Sequence, residues 1–208
     1  SITRIEIIHY FNTAYTAKLV NNKGKVMNVV IINGHPDIDS FTSQVSQKLA
    51  DKHSQEGHSV KLINLAQLDF PAVYRGYKDM PDIPNDLLKA QEDITWSQHI
   101  IITTPIWWST YPALLKGFFD RTLLPGFAFK YHPGKTIQEK LLTDKTAELY
   151  LLSDAPTWYR RFIQRDPAAK ILKRDILGFC GIKVKRVNRI GSVSSLDKSR
   201  RREILKNL

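Results

Sequence analysis

Two short apolar runs, Val29-Val30-Ile31-Ile32 and His99-Ile100-Ile101-Ile102, constrain this chain most, because chain breakers and then a helix start follow each of them. Runs rich in β-branched residues with no polar alternation are the pattern of parallel strands covered on both faces. After the first run come Asn33-Gly34-His35-Pro36-Asp37-Ile38-Asp39 and then Ser40, a residue type that accepts from the free N–H groups of a first helical turn. Phe41, Val45 and Leu49 follow at intervals of four, which is one face of a helix. After the second run, Pro105 ends the strand because it cannot donate to a ladder, and Pro112 has the φ of a first helical turn. Two such strand-loop-helix units predict an α/β fold. Its loops at the carboxyl ends of the strands are where ligands of open parallel sheets bind.

The two loops differ in chemistry. The first delivers unpaired backbone N–H groups and the positive end of a helix dipole, which suits an anion. It lacks the spacing of a P-loop or of G-x-G-x-x-G, so a single phosphate held by hydroxyls and N–H groups fits better than a nucleoside triphosphate. The second, Ile106-Trp107-Trp108-Ser109-Thr110-Tyr111, places two large flat side chains where a flat aromatic ligand would lie. A phosphate cradle after the first strand and an aromatic loop after the third are what a flavin mononucleotide needs in a flavodoxin-like fold.

The motifs also carry a resemblance. Gly34-His35-Pro36, with Ser40-Phe41-Thr42 after it, is similar to the first signature of the NAD(P)H:quinone oxidoreductase (DT-diaphorase-like) family. Pro105-Ile106-Trp107-Trp108-Ser109, with Pro112-Ala113-Leu114-Leu115-Lys116-Gly117-Phe118-Phe119-Asp120-Arg121 after it, resembles the second. The likeness runs from Met27 to about Gly191. It implies a flavin-dependent NAD(P)H oxidoreductase that passes a hydride to quinone-like acceptors. FMN is the implied cofactor, with FAD as the alternative, and NAD(P)H is the reductant. It further implies a homodimer with its active site at the subunit interface, closed by aromatics such as Tyr74, Tyr77 or Phe129.

The remaining pattern completes a doubly wound sheet. Strands are predicted at Val60–Leu65, Lys145–Leu152 and Ile182–Ile190. Helices are predicted at Asn85–Trp96 with Asn85 as cap, Pro112–Leu123, Ala168–Phe179 ended by Gly181, and Leu196–Leu205 capped near Ser195. Phe70–Pro84 reads as an irregular loop. Right-handed crossovers then give five parallel strands in the order 2-1-3-4-5. Residues 27–208 form one flavin-binding domain in this reading, and residues 1–26 are an extension. Met27 is the expected natural start: Lys23-Gly24 fits a purine-rich ribosome-binding stretch read through into protein, and a packed N-terminal arm is the other reading.

The single cysteine, Cys180, excludes an intrachain disulfide and fits a reducing, cytoplasmic setting. No apolar run approaches the ~20 residues of a membrane span. The net charge of +11 is concentrated at one end, because residues 160–208 hold 15 Lys and Arg against 4 Asp and Glu. Attraction of cofactor phosphates or of an acidic partner is one reading, and a solvated face on late elements is the other. No nucleic-acid-binding motif accompanies the charge, so nucleic acid is not an expected partner.

The candidate cofactor-binding residues are His35, Ser40, Phe41, Thr42, Pro105, Ile106, Trp107, Trp108, Ser153 and Asp154. Hydroxyls and N–H groups of Ser40–Thr42 are assigned to the phosphate, and backbone groups of Pro105–Trp108 to the flavin's polar edge. His35 faces the phosphate or ribityl chain by resemblance, or else only caps the helix. Trp108 and Tyr159 are the candidate catalytic residues, Tyr159 by its match to the family's tyrosine. The chain departs from the family after the fourth strand: Ser153-Asp154-Ala155-Pro156 stands where paired glycines are usual, and no histidine follows His132. The missing histidine's role is absent or has passed to Arg160 or Arg161. The six histidines show no ligand pair at helical or Cys-x-x-Cys spacing, so no metal site is expected. Two other functions stay open by resemblance or fold: a one-electron flavodoxin-type shuttle, and a regulatory flavoprotein subunit of a potassium-efflux system.

Overall fold

The computed structural model describes residues 26–74, 76 and 82–208, so the expectations for most of the N-terminal extension and for Tyr77 fall outside it. Strand β1 (Asn28–Asn33) leads to helix α1 (Phe41–Gln55), then β2 (Ser59–Asn64), α2 (Asn85–Trp96) and β3 (His99–Pro105). Helix α3 (Ala113–Thr122) precedes two-residue strands β4 (Phe129–Lys130) and β5 (Glu139–Lys140), and then comes β6 (Thr146–Leu152). A π-helical turn, Tyr159–Ile163, is followed by α4 (Pro167–Lys170), the π-helical Ile171–Leu177, α5 (Gly178–Cys180), β7 (Lys183–Ile190) and α6 (Lys198–Lys206).

The main sheet has the order β2-β1-β3-β6-β7, and every pairing in it is parallel. This is the 2-1-3-4-5 order, with the small β4–β5 ribbon as an excursion between the third and fourth strands. β3 is buried along its whole length and β1 along all but its first residue, which explains the unalternating sequence of both. Successive side chains go to opposite faces. Val30, Ile32, Ile100, Ile102, Leu149 and Leu151 join a core with residues of α2, α3 and the helical run to Cys180. Val29, Ile31, Ile101, Tyr150 and Leu152 meet Phe41, Val45 and Leu49 of α1. The α1 pattern of four-residue steps therefore covers the second face, with all three residues buried.

Several boundaries differ from the sequence reading. Asn85 is the first residue of α2, and the cap position belongs to Pro84, which has no side-chain donor or acceptor. α6 starts later than expected, because the Asp197 side chain accepts from the Arg200 N–H and Asp197, not Ser195, is its cap. The β4–β5 ribbon escaped notice, since two-residue strands carry no periodicity. Gly34 is fixed by packing: its N–H donates to Thr103 O at 2.8 Å, and a Cβ there would stand 2.8 Å from Leu115 Cδ2. The glycine thus lets the loop after β1 lie against β3 and α3.

Candidate flavin site

A cavity of about 190 Å³ lies at the carboxyl ends of β1, β3 and β6, lined by His35, Ser40, Phe41, Thr42, Pro105, Ile106, Trp107, Leu152, Ser153, Asp154 and Val193. Nine of the ten residues expected to bind a cofactor line it. They come from three loops, the first and last more than a hundred residues apart in sequence, joined by the β1–β3–β6 pairings.

The loop after β1 is a closed polar network. Buried Asn33 donates from Nδ2 to Ser43 Oγ at 2.9 Å and to Asn64 Oδ1 at 3.0 Å, and its Oδ1 accepts from the His35 N–H at 3.2 Å. Ser43 Oγ donates to Asp37 O at 3.0 Å. Ser40 caps α1: its Oγ accepts from the Ser43 N–H at 3.2 Å and sits 2.9 Å from Ser43 Oγ. Ser40 Oγ is therefore engaged with the helix. The N–H groups of Phe41 and Thr42 have no hydrogen-bond partner among the described residues, so the first turn still offers two donors. Burial holds the His35 pKa below the usual imidazole value, against the opposing pull of Asp37. His35 Nδ1 accepts from the Asp37 N–H at 2.9 Å, so the neutral ring carries its proton on Nε2 and remains a donor. Asn33 was not among the sequence candidates. Its position beside Gly34-His35 was visible, but its burial was not.

The loop after β3 is built differently. Trp107 and Thr110 exchange both backbone bonds at 2.9 Å, closing a two-residue turn whose tip residues are both left-handed, Trp108 at φ 49° and Ser109 at φ 63°. Trp107 reaches the cavity and meets the His35 ring edge-on at 5.7 Å. Trp108 does not line it and stands 99% exposed. The N–H of Ile106 goes to Leu152 O at 2.7 Å and that of Trp107 to Thr110 O, so neither is free for a ligand. The N–H groups of Trp108 and Ser109 at the tip have no partner among the described residues.

After β6, Ser153 Oγ donates to Ala155 O at 2.8 Å, and Asp154 Oδ1 accepts from the Ser194 N–H at 2.9 Å. Asp154 thus ties this loop to the one after β7. Tyr159 lies outside the cavity, 37% exposed and edge-on to Trp158 at 5.8 Å. Arg161 stacks over Phe162. Arg160 is buried beside the tryptophan turn: Nη1 donates to Ser109 Oγ at 3.3 Å and to Gln164 Oε1 at 2.7 Å, while Nη2 has no partner among the described residues. Phe129 packs against Phe179 in a separate apolar cavity of about 560 Å³ and does not reach this one. Cys180 is buried, and burial raises its thiol to about 11, which removes it as a nucleophile.

Five parallel strands in this order, with a ligand cavity at the β1/β3 switch point, define a flavodoxin-like protein. The chain belongs to the family described as having a flavodoxin-like fold, whose model matches residues 27–207, and among its members to the NAD(P)H:quinone oxidoreductase enzymes. It is 24% identical over 186 residues to an uncharacterized NAD(P)H oxidoreductase of Haemophilus influenzae, covering 86% of this chain and 91% of that one. It is 27% identical over 161 residues to the FMN-dependent NADH:quinone oxidoreductase of Clostridium beijerinckii, covering 73% and 78%. Among solved structures it is similar to Smu.1420 from Streptococcus mutans UA159, with a TM-score of 0.74, 29% identity and coverage of 86% and 95%. Among the described residues no helix is long and apolar enough to cross a membrane.

Proposed function

We propose that the chain binds FMN at this cavity and uses it to reduce quinone-like acceptors with NAD(P)H. The observation that carries the reading is the convergence of unsatisfied donors on one cavity. The Phe41 and Thr42 N–H groups at the start of α1 and the neutral His35 ring face the same space. That donor set fits a phosphate dianion. The side chains of Pro105, Ile106 and Trp107 give a mostly apolar wall for a ring system, and the Trp108 and Ser109 N–H groups supply donors at its rim.

FMN bound there would supply two-electron hydride chemistry between NAD(P)H and the acceptor. The protein's own contribution is to anchor, orient and exclude water. Asn33 and Ser43 hold the cradle rigid, so its donors are placed before the ligand arrives. Arg160 is a buried cation with no carboxylate partner among the described residues, which supports a role in holding anionic groups beside the tryptophan turn. A cavity of about 190 Å³ is small against the ~300–1,000 Å³ of ordinary small-molecule sites. One chain thus walls only part of the cofactor, and a second copy of the chain completes the site. Reductant and acceptor then share one face in turn, which gives ping-pong kinetics.

The test has two stages. Denaturing the purified protein and weighing the released flavin should give FMN; FAD would move the assignment, and no flavin would remove it. Stopped-flow mixing with NADPH or NADH should bleach the bound flavin. A flavin that neither nicotinamide reduces would leave a shuttle or a regulatory subunit as the function.

A further inference from the structure

At the opposite edge of the sheet, α1 ends in a turn that gathers three metal-ligating side chains. Gly57 adopts φ 88°, a left-handed conformation open to glycine at little cost. Its N–H donates to Ser54 O at 3.0 Å, and the His58 N–H donates to His53 O at 3.0 Å. These two bonds make up a Schellman closure, in which the residue after the glycine folds back over the last helical turn. His58 is thereby brought against His53, with ring centroids 5.5 Å apart and planes at 34°. Glu56, the C-cap residue, stands between them in sequence.

From this arrangement we propose a binding site for a first-row transition-metal ion, with Zn²⁺ as the representative ion, formed by His53, Glu56 and His58. One ligand atom from each of the three lies within 4.8 Å of the others. His53 Nδ1 and Glu56 Oε2 are 3.5 Å apart. Two ligands at zinc distances of about 2.0–2.1 Å, at a tetrahedral angle, stand about 3.4 Å apart, so this pair needs almost no movement. His53 Nδ1 is buried and has no hydrogen-bond partner among the described residues, which leaves it open to an ion. His58 Nδ1 accepts only a long 3.3 Å bond from the Met27 N–H, a contact that an ion would replace.

The ligand types select the ion. Two imidazoles and one carboxylate suit zinc and its neighbours, whereas Mg²⁺ and Ca²⁺ take oxygen sets. Three protein ligands leave a coordination position for water or another group. His99 and Glu148, on the sheet face beside the cluster, interact electrostatically with His53. His99 Nδ1 is already within 2.8 Å of Thr146 Oγ1, so it is not one of the three. The position is remote from the flavin cavity: α1 has 15 residues, a length of about 22 Å, and the cavity is at its other end. An ion here would pin the end of α1 to the entry of β2. This does not depend on the flavin assignment.

The experiment titrates untagged full-length protein with ZnCl₂ by calorimetry, and with CoCl₂ by visible absorption. The wild type should take up one saturable equivalent of Zn²⁺ and develop the intense ligand-field bands of low-symmetry Co²⁺. MgCl₂ should do neither. His53→Gln and His58→Gln should each weaken Zn²⁺ binding by at least about tenfold and abolish the Co²⁺ bands, and Glu56→Gln should weaken it less. Circular dichroism and flavin content should be unchanged in all three, which shows that the chain still folds. Gly57→Ala disturbs the turn while keeping every ligand, and should also weaken binding. Absence of saturable uptake by the wild type, or equal uptake by the His53→Gln/His58→Gln double variant, would overturn the site.

Discussion

The loop after β1 and the loop after β3 border the same cavity but are stabilised in opposite ways. In the first, the side chains of Asn33, Ser40 and Ser43 are tied into one hydrogen-bond network, and the backbone is pinned to β3 through Gly34. In the second, two consecutive non-glycine residues occupy the left-handed region, each at a cost of about 1–3 kcal/mol, and the side chain at the tip faces solvent. Such a turn persists because the Trp107–Thr110 bonds and the Arg160 contact to Ser109 hold it. The contrast separates two tasks. A preformed cradle, with its side chains tied and its first-turn N–H groups free, gives affinity for a small charged group. A strained turn that displays an aromatic ring gives shape to whatever approaches the cavity from outside.

The largest effect should come from breaking the cradle at its buried centre. Asn33→Ala leaves Ser43 Oγ, Asn64 Oδ1 and the His35 N–H without a shared partner. Stability should drop by about 2–4 kcal/mol in urea melts, and FMN affinity with it. A loss under about 1 kcal/mol would mean that the network does not hold the loop.

Next in size is the phosphate end itself. Ser40→Ala with Thr42→Ala should weaken FMN binding by about 10- to 100-fold, because Ser40 Oγ is engaged with the helix and only the Thr42 hydroxyl is left to lose, one hydrogen bond to a charged group being worth about 1.5–3 kcal/mol. Because Ser40 also caps α1, its substitution alone should cost about 1 kcal/mol of stability, which a parallel melt would separate from the binding loss. Unchanged FMN affinity in the double variant would leave the phosphate to the backbone N–H groups and His35, with no hydroxyl contact.

Trp108→Ala acts on the other side of the comparison. FMN affinity should change by less than about threefold, since the cradle is intact, while single-turnover reduction by NADPH should slow by about tenfold or more through lost positioning. The reverse split, with affinity lost and rate kept, would mean that the turn anchors the cofactor and the cradle does not.

The smallest expected effect is on pH dependence. Burial lowers the pKa of His35, His53 and His99 in the folded chain. As pH falls, the unfolded chain therefore binds protons before the folded one does. The stability these rings confer is full above the unfolded value near 6.5 and is lost as pH drops through the lower folded values. Thermal midpoints should fall between about pH 7 and pH 5, and the His35→Gln variant should show a shallower fall. An equally steep fall in that variant would remove His35 from the effect.

Much of this was legible in the chain. The unalternating runs of β1 and β3 marked buried parallel strands, because a strand covered on both faces has no polar side to show. Ser40 was legible as a cap, since its role needs only local geometry. The Asn85 and Ser195 caps were misplaced because several residues nearby could cap, and the choice rests on where the helix first packs. The divergence of Trp107 from Trp108 had no local signal: the residues are adjacent and alike, and a left-handed turn without glycine is not expected from either.

The sequence by itself determined the order of strands and helices, the end of the sheet at which the candidate cavity opens, and the residue types available there. Hydrophobic periodicity and chain breakers act over a few residues and can be read without the fold. Only the tertiary structure decided which donors remain free. It spent the Ile106 and Trp107 N–H groups on Leu152 and Thr110, tied Asp154 to Ser194, and left Phe41 and Thr42 open. It also set His58 back against His53, through one glycine turn at the far end of α1. Hydrogen-bond partners and ligand clusters depend on contacts between segments distant in sequence or folded back through special backbone angles, and neither is encoded in local pattern.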